Sequence, residues 1–157
     1  MEIRFAQTWD VPGVLELLRQ EGQLLHRSQP DYFRSNAQKY GPSQIIAMLN
    51  RSETPIFVAV EERMVLGCCL CRMNTFFRDS VVADQTVCCI DTLCVDENFR
   101  RKGIGTVLYQ TVRQYAKQRN CSSIALNVPS CSESAMKFYA SLGFKPQQIG
   151  MEAMLEE

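Results

Sequence analysis

The chain has 157 residues, 46% of them hydrophobic, with 17 Lys and Arg against 17 Asp and Glu. That length suits one domain, residues 1–157, able to bury about two-thirds of its unfolded surface, and the balanced charge offers no overall field to nucleic acid or an anionic membrane. The longest apolar runs fall well short of the roughly 20 residues of a spanning helix, and no signal-peptide core opens the chain, so it reads as soluble and cytoplasmic.

Residues 2–6 alternate like a short edge strand, after which Thr8 or Asp10 is placed to cap a helix with Pro12 in its first turn. Val14, Leu17, Leu18 and Leu25 continue it at helical spacing until Gln29-Pro30-Asp31 breaks the pattern. Gly41-Pro42-Ser43 starts a second helix carrying Ile45, Ile46 and Leu49. Strands are expected over 56–60 and 65–77 as a hairpin turning at Glu61-Glu62-Arg63, and again over 86–95. Ile104, Leu108, Val112 and Tyr115 mark one face of a helix. A buried strand at 123–128, a helix over 132–142 with Gly143 as its C′ residue, and an extended stretch over 149–155 complete the chain. An antiparallel set followed by β-α-β crossovers is a mixed α/β sheet, and its ligands gather beyond the carboxyl ends of the parallel strands.

Eight cysteines, Cys68, Cys69, Cys71, Cys88, Cys89, Cys94, Cys121 and Cys131, raise the question of a metal or a disulfide framework. Most lie in apolar strand runs, where cysteine acts as a small buried hydrophobe. Cys68 and Cys71 form a C-x-x-C, but in a strand they point to opposite faces, and His26 is the one histidine. Reduced cysteines and no metal site are expected.

The strand at 86–95 runs into Arg100-Arg101-Lys102-Gly103-Ile104-Gly105-Thr106 and then a helix. Gly-x-Gly lets the backbone approach a ligand closely, and the helix start adds free N–H groups and positive dipole, the makings of a pyrophosphate site. The lysine precedes the glycines, which excludes a Walker loop, and Leu108 stands where a dinucleotide fingerprint needs a third glycine. Asp91 is the sole charge in an otherwise uncharged run over 86–95 and at period two shares a face with Cys89, Leu93 and Val95. An unpaired buried carboxylate is costly and a proton relieves the cost, which suits a general base; a structural aspartate, or one that orders the acceptor's charge, is the alternative.

The Arg-x-x-Gly-x-Gly loop resembles the acyl-CoA loop of the GCN5-related N-acetyltransferase (GNAT) superfamily, and residues 126–144 are similar to a later signature of that family. Leu126-Asn127-Val128, Ala135, Phe138-Tyr139 and Gly143-Phe144 fall at the family's spacing. The resemblance is tight over 90–144, while the N-terminal half matches only in element order. It implies a mixed, mostly antiparallel sheet of six to seven strands flanked by about four helices, with a V-shaped splay between the fourth and fifth strands. It further implies acetyl-CoA as co-substrate. The backbone of Leu93, Cys94 and Val95 would pair with the pantetheine arm, and Arg100, Arg101, Lys102, Gly103, Ile104, Gly105 and Thr106 would hold the pyrophosphate. Ser132 stands where the family usually has a cofactor-contacting asparagine. Tyr139 matches the tyrosine that protonates the leaving thiolate, and its phenol (pKa ~10) suits transfer to a thiolate whose acid lies near ~8.5. His26, Tyr32 and Phe33 would belong to the acceptor wall, although His26 also reads as an exposed helix-end histidine. The expected activity is transfer of acetyl to a primary amine of a small molecule or peptide by direct attack; an acyl-CoA-binding sensor or interaction module is the alternative. Pairing of two copies into a homodimer, by strand exchange or C-terminal strand pairing, is left open.

Overall fold

The computed structural model describes residues 1–156, which form two compact units, Met1–Asn127 and a C-terminal one beginning at Val128. The first contains β1 (Glu2–Phe5), α1 (Val11–Ser28), α2 (Pro42–Leu49), β2 (Ile56–Glu61), β3 (Met64–Phe76), β4 (Gln85–Val95), α3 (Ile104–Gln118) and β5 (Ser123–Leu126), with 3-10 turns at Thr8–Asp10 and Glu97–Phe99. The strands lie in sequence order, β1-β2-β3-β4-β5. The first three pairings are antiparallel and β4–β5 is parallel, as a helical crossover requires.

Both faces of this sheet are covered. Val14, Leu17 and Leu18 of α1 and Ile45 of α2 pack with Val58, Cys68, Leu70 and Cys94 in one buried cluster. Gly67, on the opposite side of the pleat from Cys68, faces Ile104 and Leu108 of α3. Burial from both sides explains why β3 reads as a nearly continuous apolar run from Val65 to Cys71. The five thiols of Cys68, Cys69, Cys71, Cys88 and Cys94 are all buried in these layers. At the start of α1, the buried Asp10 carboxylate accepts from Arg4 Nη1 at 2.6 Å and from the Gln7 N–H at 2.7 Å, which ties β1 to the helix. The β2–β3 turn places both Glu62 (φ 49°) and Arg63 (φ 67°) in the left-handed region, the backbone of a type I′ hairpin.

The C-terminal unit holds α4 (Glu133–Ser141). It closes in a Schellman motif, in which the Phe144 N–H donates to the Tyr139 carbonyl and that of Gly143 to the Ala140 carbonyl, each at 3.0 Å. The expected strand over 149–155 does not form among the described residues. Residues 145–156 carry no strand, and Ile149, Met151, Met154 and Leu155 are exposed. Their apolar spacing suits a strand, but a strand exists only where a neighbour takes up its backbone groups. β5 also ends at Leu126, two residues early, so the described sheet has five strands rather than six or seven.

Gly22 of α1 is buried against the segment that links α1 to α2. A Cβ built there would lie 1.7 Å from the Ala37 carbonyl oxygen. Gly22→Ala therefore forces that segment away from α1, and overpacking of this kind costs about 1–3 kcal/mol. Thermal unfolding should show a clearly lowered midpoint; an unchanged midpoint would mean that the segment shifts without loss.

Candidate functional site

β4 is bonded to β3 along its whole length but to β5 only from Val87 to Ile90, which face Ser123 to Leu126. The Asp96 N–H donates to the Leu66 carbonyl at 2.8 Å, and residues directly opposite alternate between bonded and unbonded pairs. Thr92 and Cys94 therefore spend their backbone groups on β3, whereas those of Leu93 and Val95 point to the side where β5 has ended. Two outside donors already use this open edge: Lys39 Nζ bonds the Asp91 carbonyl at 3.0 Å and Arg100 Nε the Val95 carbonyl at 3.2 Å. Cys94 thus differs from the expectation that its main chain, like that of Leu93 and Val95, is open to a ligand.

Asp91 is the extra residue of a β-bulge. Leu70 pairs with Thr92 and Cys71 with Ile90, which leaves Asp91 unopposed. The bulge breaks the period-two reading. Cys89 pairs with Arg72 and Leu93 with Cys69, on opposite faces of β3, so Asp91, Cys89 and Leu93 do not share a face as expected. Nor is the carboxylate unpaired. Tyr40 donates its hydroxyl to Asp91 Oδ2, and Lys39 Nζ lies 3.0 Å from Oδ1. Burial and the hydrogen bond to Asp91 push the Tyr40 phenol up to about 12. Neither partner was legible in the sequence, since both lie some fifty residues away in a segment with no periodicity.

Beyond β4, Asp96 caps the turn by accepting from the Asn98 N–H at 2.9 Å. Arg101 (φ 63°) and Gly103 (φ 82°) then turn the chain into α3. Gly103, at the N-cap, makes no side-chain cap, and a Cβ built on it would meet no atom within 4 Å. Only glycine takes that backbone freely, and the start of α3 stays open to an anion. Arg100, Arg101 and Lys102 are exposed around it, with Lys102 Nζ 5.2 Å from the Phe99 ring centroid. Ile104 is buried under the loop, while Gly105 and Thr106 are partly exposed in the first turn of α3.

α1 braces this arrangement through two polar residues that helical periodicity alone does not single out as functional. The buried Gln20 donates to Asp96 Oδ2 at 3.1 Å and accepts from the Glu97 N–H at 3.0 Å. Glu21 Oε2 accepts from the Thr92 hydroxyl and from the Cys94 thiol, the latter at 3.1 Å. A signal was present: Glu21 follows Leu17 by four residues, where the buried stripe of α1 calls for an apolar side chain. The Cys94 thiol is pushed up by its hydrogen bond to Cys68 and by burial, and Cys88 likewise by Cys71 and burial.

The expected acceptor residues lie close together. His26 Nδ1 donates to the Phe33 carbonyl at 2.7 Å, and the Tyr32 and Phe33 rings meet edge-on at 4.9 Å. Ser132 and Tyr139 belong to the C-terminal unit. Ser132 precedes α4 without a side-chain cap, and the Tyr139 ring contacts Phe138 at 5.1 Å and Phe144 at 5.4 Å. Among the described residues no cluster of three or more His, Cys, Asp or Glu is arranged to hold a metal, and no helix is long and apolar enough to cross a membrane.

The mixed sheet, in which β4 loses one neighbour just before an uncapped helix start, is that of an acetyltransferase-type fold. The chain belongs to the GNAT acetyltransferase family, whose model matches residues 22–144. It is 30% identical over 102 residues to an uncharacterised N-acetyltransferase, MJ1207, of Methanocaldococcus jannaschii, covering 65% of this chain and 44% of that protein. Among solved structures, a point mutant of the BH1408 protein from Bacillus halodurans superimposes with a TM-score of 0.93 at 29% identity, covering 99% of this chain and all of that one. The aminoglycoside N-acetyltransferase AAC(6')-Iy in complex with CoA shares the fold, with a TM-score of 0.74 at 14% identity and 99% of each chain covered. The chain spans less than half the length of the curated relatives it matches, 23–44%.

The Tyr40–Asp91 contact has a pH signature. The folded phenol titrates near 12 against an ordinary 10.0, so the fold favours its protonated form. That contribution is complete below pH 10 and is lost as the pH climbs through about 12. Alkaline unfolding of wild type should show this loss and Tyr40→Phe should not; identical profiles would remove the contact.

Proposed function

We propose that this chain is an N-acetyltransferase that moves the acetyl group of acetyl-CoA to a primary amine of a small molecule or peptide, by direct attack in a ternary complex. The observation that carries the reading is the open edge of β4 running into the uncapped start of α3. The residues present fit the co-substrate. Leu93 and Val95 offer backbone groups to the pantetheine amides. Arg100, Arg101, Lys102 and the N–H groups of Gly103, Ile104, Gly105 and Thr106 meet the pyrophosphate, with the space above Gly103 free of protein atoms. Ser132 is assigned to the cofactor only by standing where the family usually has a cofactor-contacting asparagine. Bound acetyl-CoA supplies an acyl group activated as a thioester, and the CoA complex of AAC(6')-Iy supports that choice.

The protein's own work is then proton handling and orientation. A lysine-like amine is neutral in only about one molecule in a few thousand at pH 7, a cost of about 4–5 kcal/mol. Asp91, held by Tyr40, orients the amine in the place that the Lys39 ammonium takes in its absence and takes up its proton, directly or through water. The Leu93 N–H faces the side where the oxyanion would develop, and Tyr139 is assigned the proton for the leaving thiolate by its match to the family's tyrosine. Cys94 is an unsuitable acyl carrier, because its thiol is bonded to Glu21 and pushed up by Cys68 and burial. That favours direct attack. His26, Tyr32 and Phe33 are assigned to the acceptor side.

Chromatographic detection of acceptor-dependent CoA release, across a panel of amines and peptides, tests the activity. Wild type should release CoA with at least one acceptor, and Gly103→Trp should lose acetyl-CoA binding by calorimetry. Silence across the panel from protein that binds acetyl-CoA would favour a non-catalytic sensor. Tyr139→Phe should lower kcat by about 10²–10⁴-fold with acetyl-CoA affinity nearly intact; an unchanged kcat would remove Tyr139 from the acid role.

A further inference from the structure

Lys39 places a primary ammonium on the edge of β4 where the transfer reaction needs an acceptor amine. Its Nζ sits 3.0 Å from Asp91 Oδ1 and 3.0 Å from the Asp91 carbonyl, two residues before Leu93. The contacts are those a bound acceptor would make, a carboxylate for the charge and a main-chain carbonyl for direction. The side chain is 46% exposed, so it is reachable. It lies between α1 and α2 in a stretch without helix or strand, which reaches Asp91 through both Lys39 and Tyr40. Buried Gly22 holds the same stretch close to α1 through its contact with Ala37.

We propose that Lys39 is a self-acetylation site, modified within the chain's own active centre when acetyl-CoA is bound and no external amine occupies the edge. The proposal rests on the transfer reaction above. The ammonium loses one proton, by way of Asp91 or water, to solvent. The neutral nitrogen forms a C–N bond to the thioester carbonyl as the C–S bond breaks, and its second proton goes to the departing thiolate. The products are an N-acetylated lysine, free CoA and one proton. Acetylation removes the cation that neutralises Asp91, so the ion pair that occupies the edge is lost and the carboxylate is released to an external amine.

The full chain, incubated with isotopically labelled acetyl-CoA and no acceptor, is mapped by peptide mass spectrometry over time. Lys39 should label roughly tenfold or more faster than Lys102, Lys117, Lys137 and Lys145, at a first-order rate unchanged by dilution of the protein. Lys39→Arg, which keeps the cation, should abolish that fast label. Labelling of Lys39 no faster than the other four lysines, or at a rate that scales with protein concentration, overturns the proposal. Acetyl-CoA binding, measured on the same sample by calorimetry, separates the two levels. Binding with unselective labelling overturns self-acetylation alone, whereas absence of binding overturns the transfer reaction with it.

Discussion

The arrangement depends on where β4 loses its second neighbour. A central strand normally spends all its backbone groups on two partners, and an unpaired buried group costs free energy comparable to a lost hydrogen bond. Here the pairing to β5 stops at Ile90 and Leu126 while β4 continues to Val95. The ladder to β3 continues across that point, so the edge is open without being loose. Side chains from two directions, Lys39 and Arg100, reach its carbonyls. Asp91 is the residue at the transition, unopposed on β3 and lacking β5 on the other side.

Such an edge keeps its geometry only if something outside the sheet fixes it. α1 does so through consecutive polar residues on its inner side. Gln20 holds the turn that leads to the loop before α3, and Glu21 holds Thr92 and Cys94 within the strand. Buried polar groups of this kind are tolerable because each is bonded, and loss of one partner would leave the other unsatisfied. The strand and the loop are therefore referred to one helix, which also carries His26 in its last turn.

Periodicity and turn chemistry made much of this visible in the sequence. The amphipathic stripes of α1 and α3, the positive-φ glycine before α3 and the Gly143 cap all express local rules. The bulge at Asp91 was hidden, because a period-two reading of one strand cannot detect a residue inserted relative to its partner. The same slip misassigned the face of Cys89. Lys39 and Tyr40 were hidden for a different reason: a tertiary contact across some fifty residues leaves no mark in local pattern. The stretch at 149–155 failed in the opposite sense, having the pattern of a strand without a neighbour to complete it. Glu21 could have been found, since a charge in an apolar stripe is itself a signal.

The sheet order has a consequence for assembly of the chain. Because spatial order equals sequence order, every strand pairs with its sequence neighbour, yet the connections differ greatly in length. β2 and β3 are joined by a two-residue turn, Glu62 and Arg63, whereas roughly 50 residues separate β1 from β2. Loop-closure entropy makes the longer connection about 3 kcal/mol dearer to close. The β2–β3–β4 meander is thus the part of the sheet with the lowest closure cost, and β1 is the edge with the highest. The bulged strand that carries Asp91 belongs to that low-cost part.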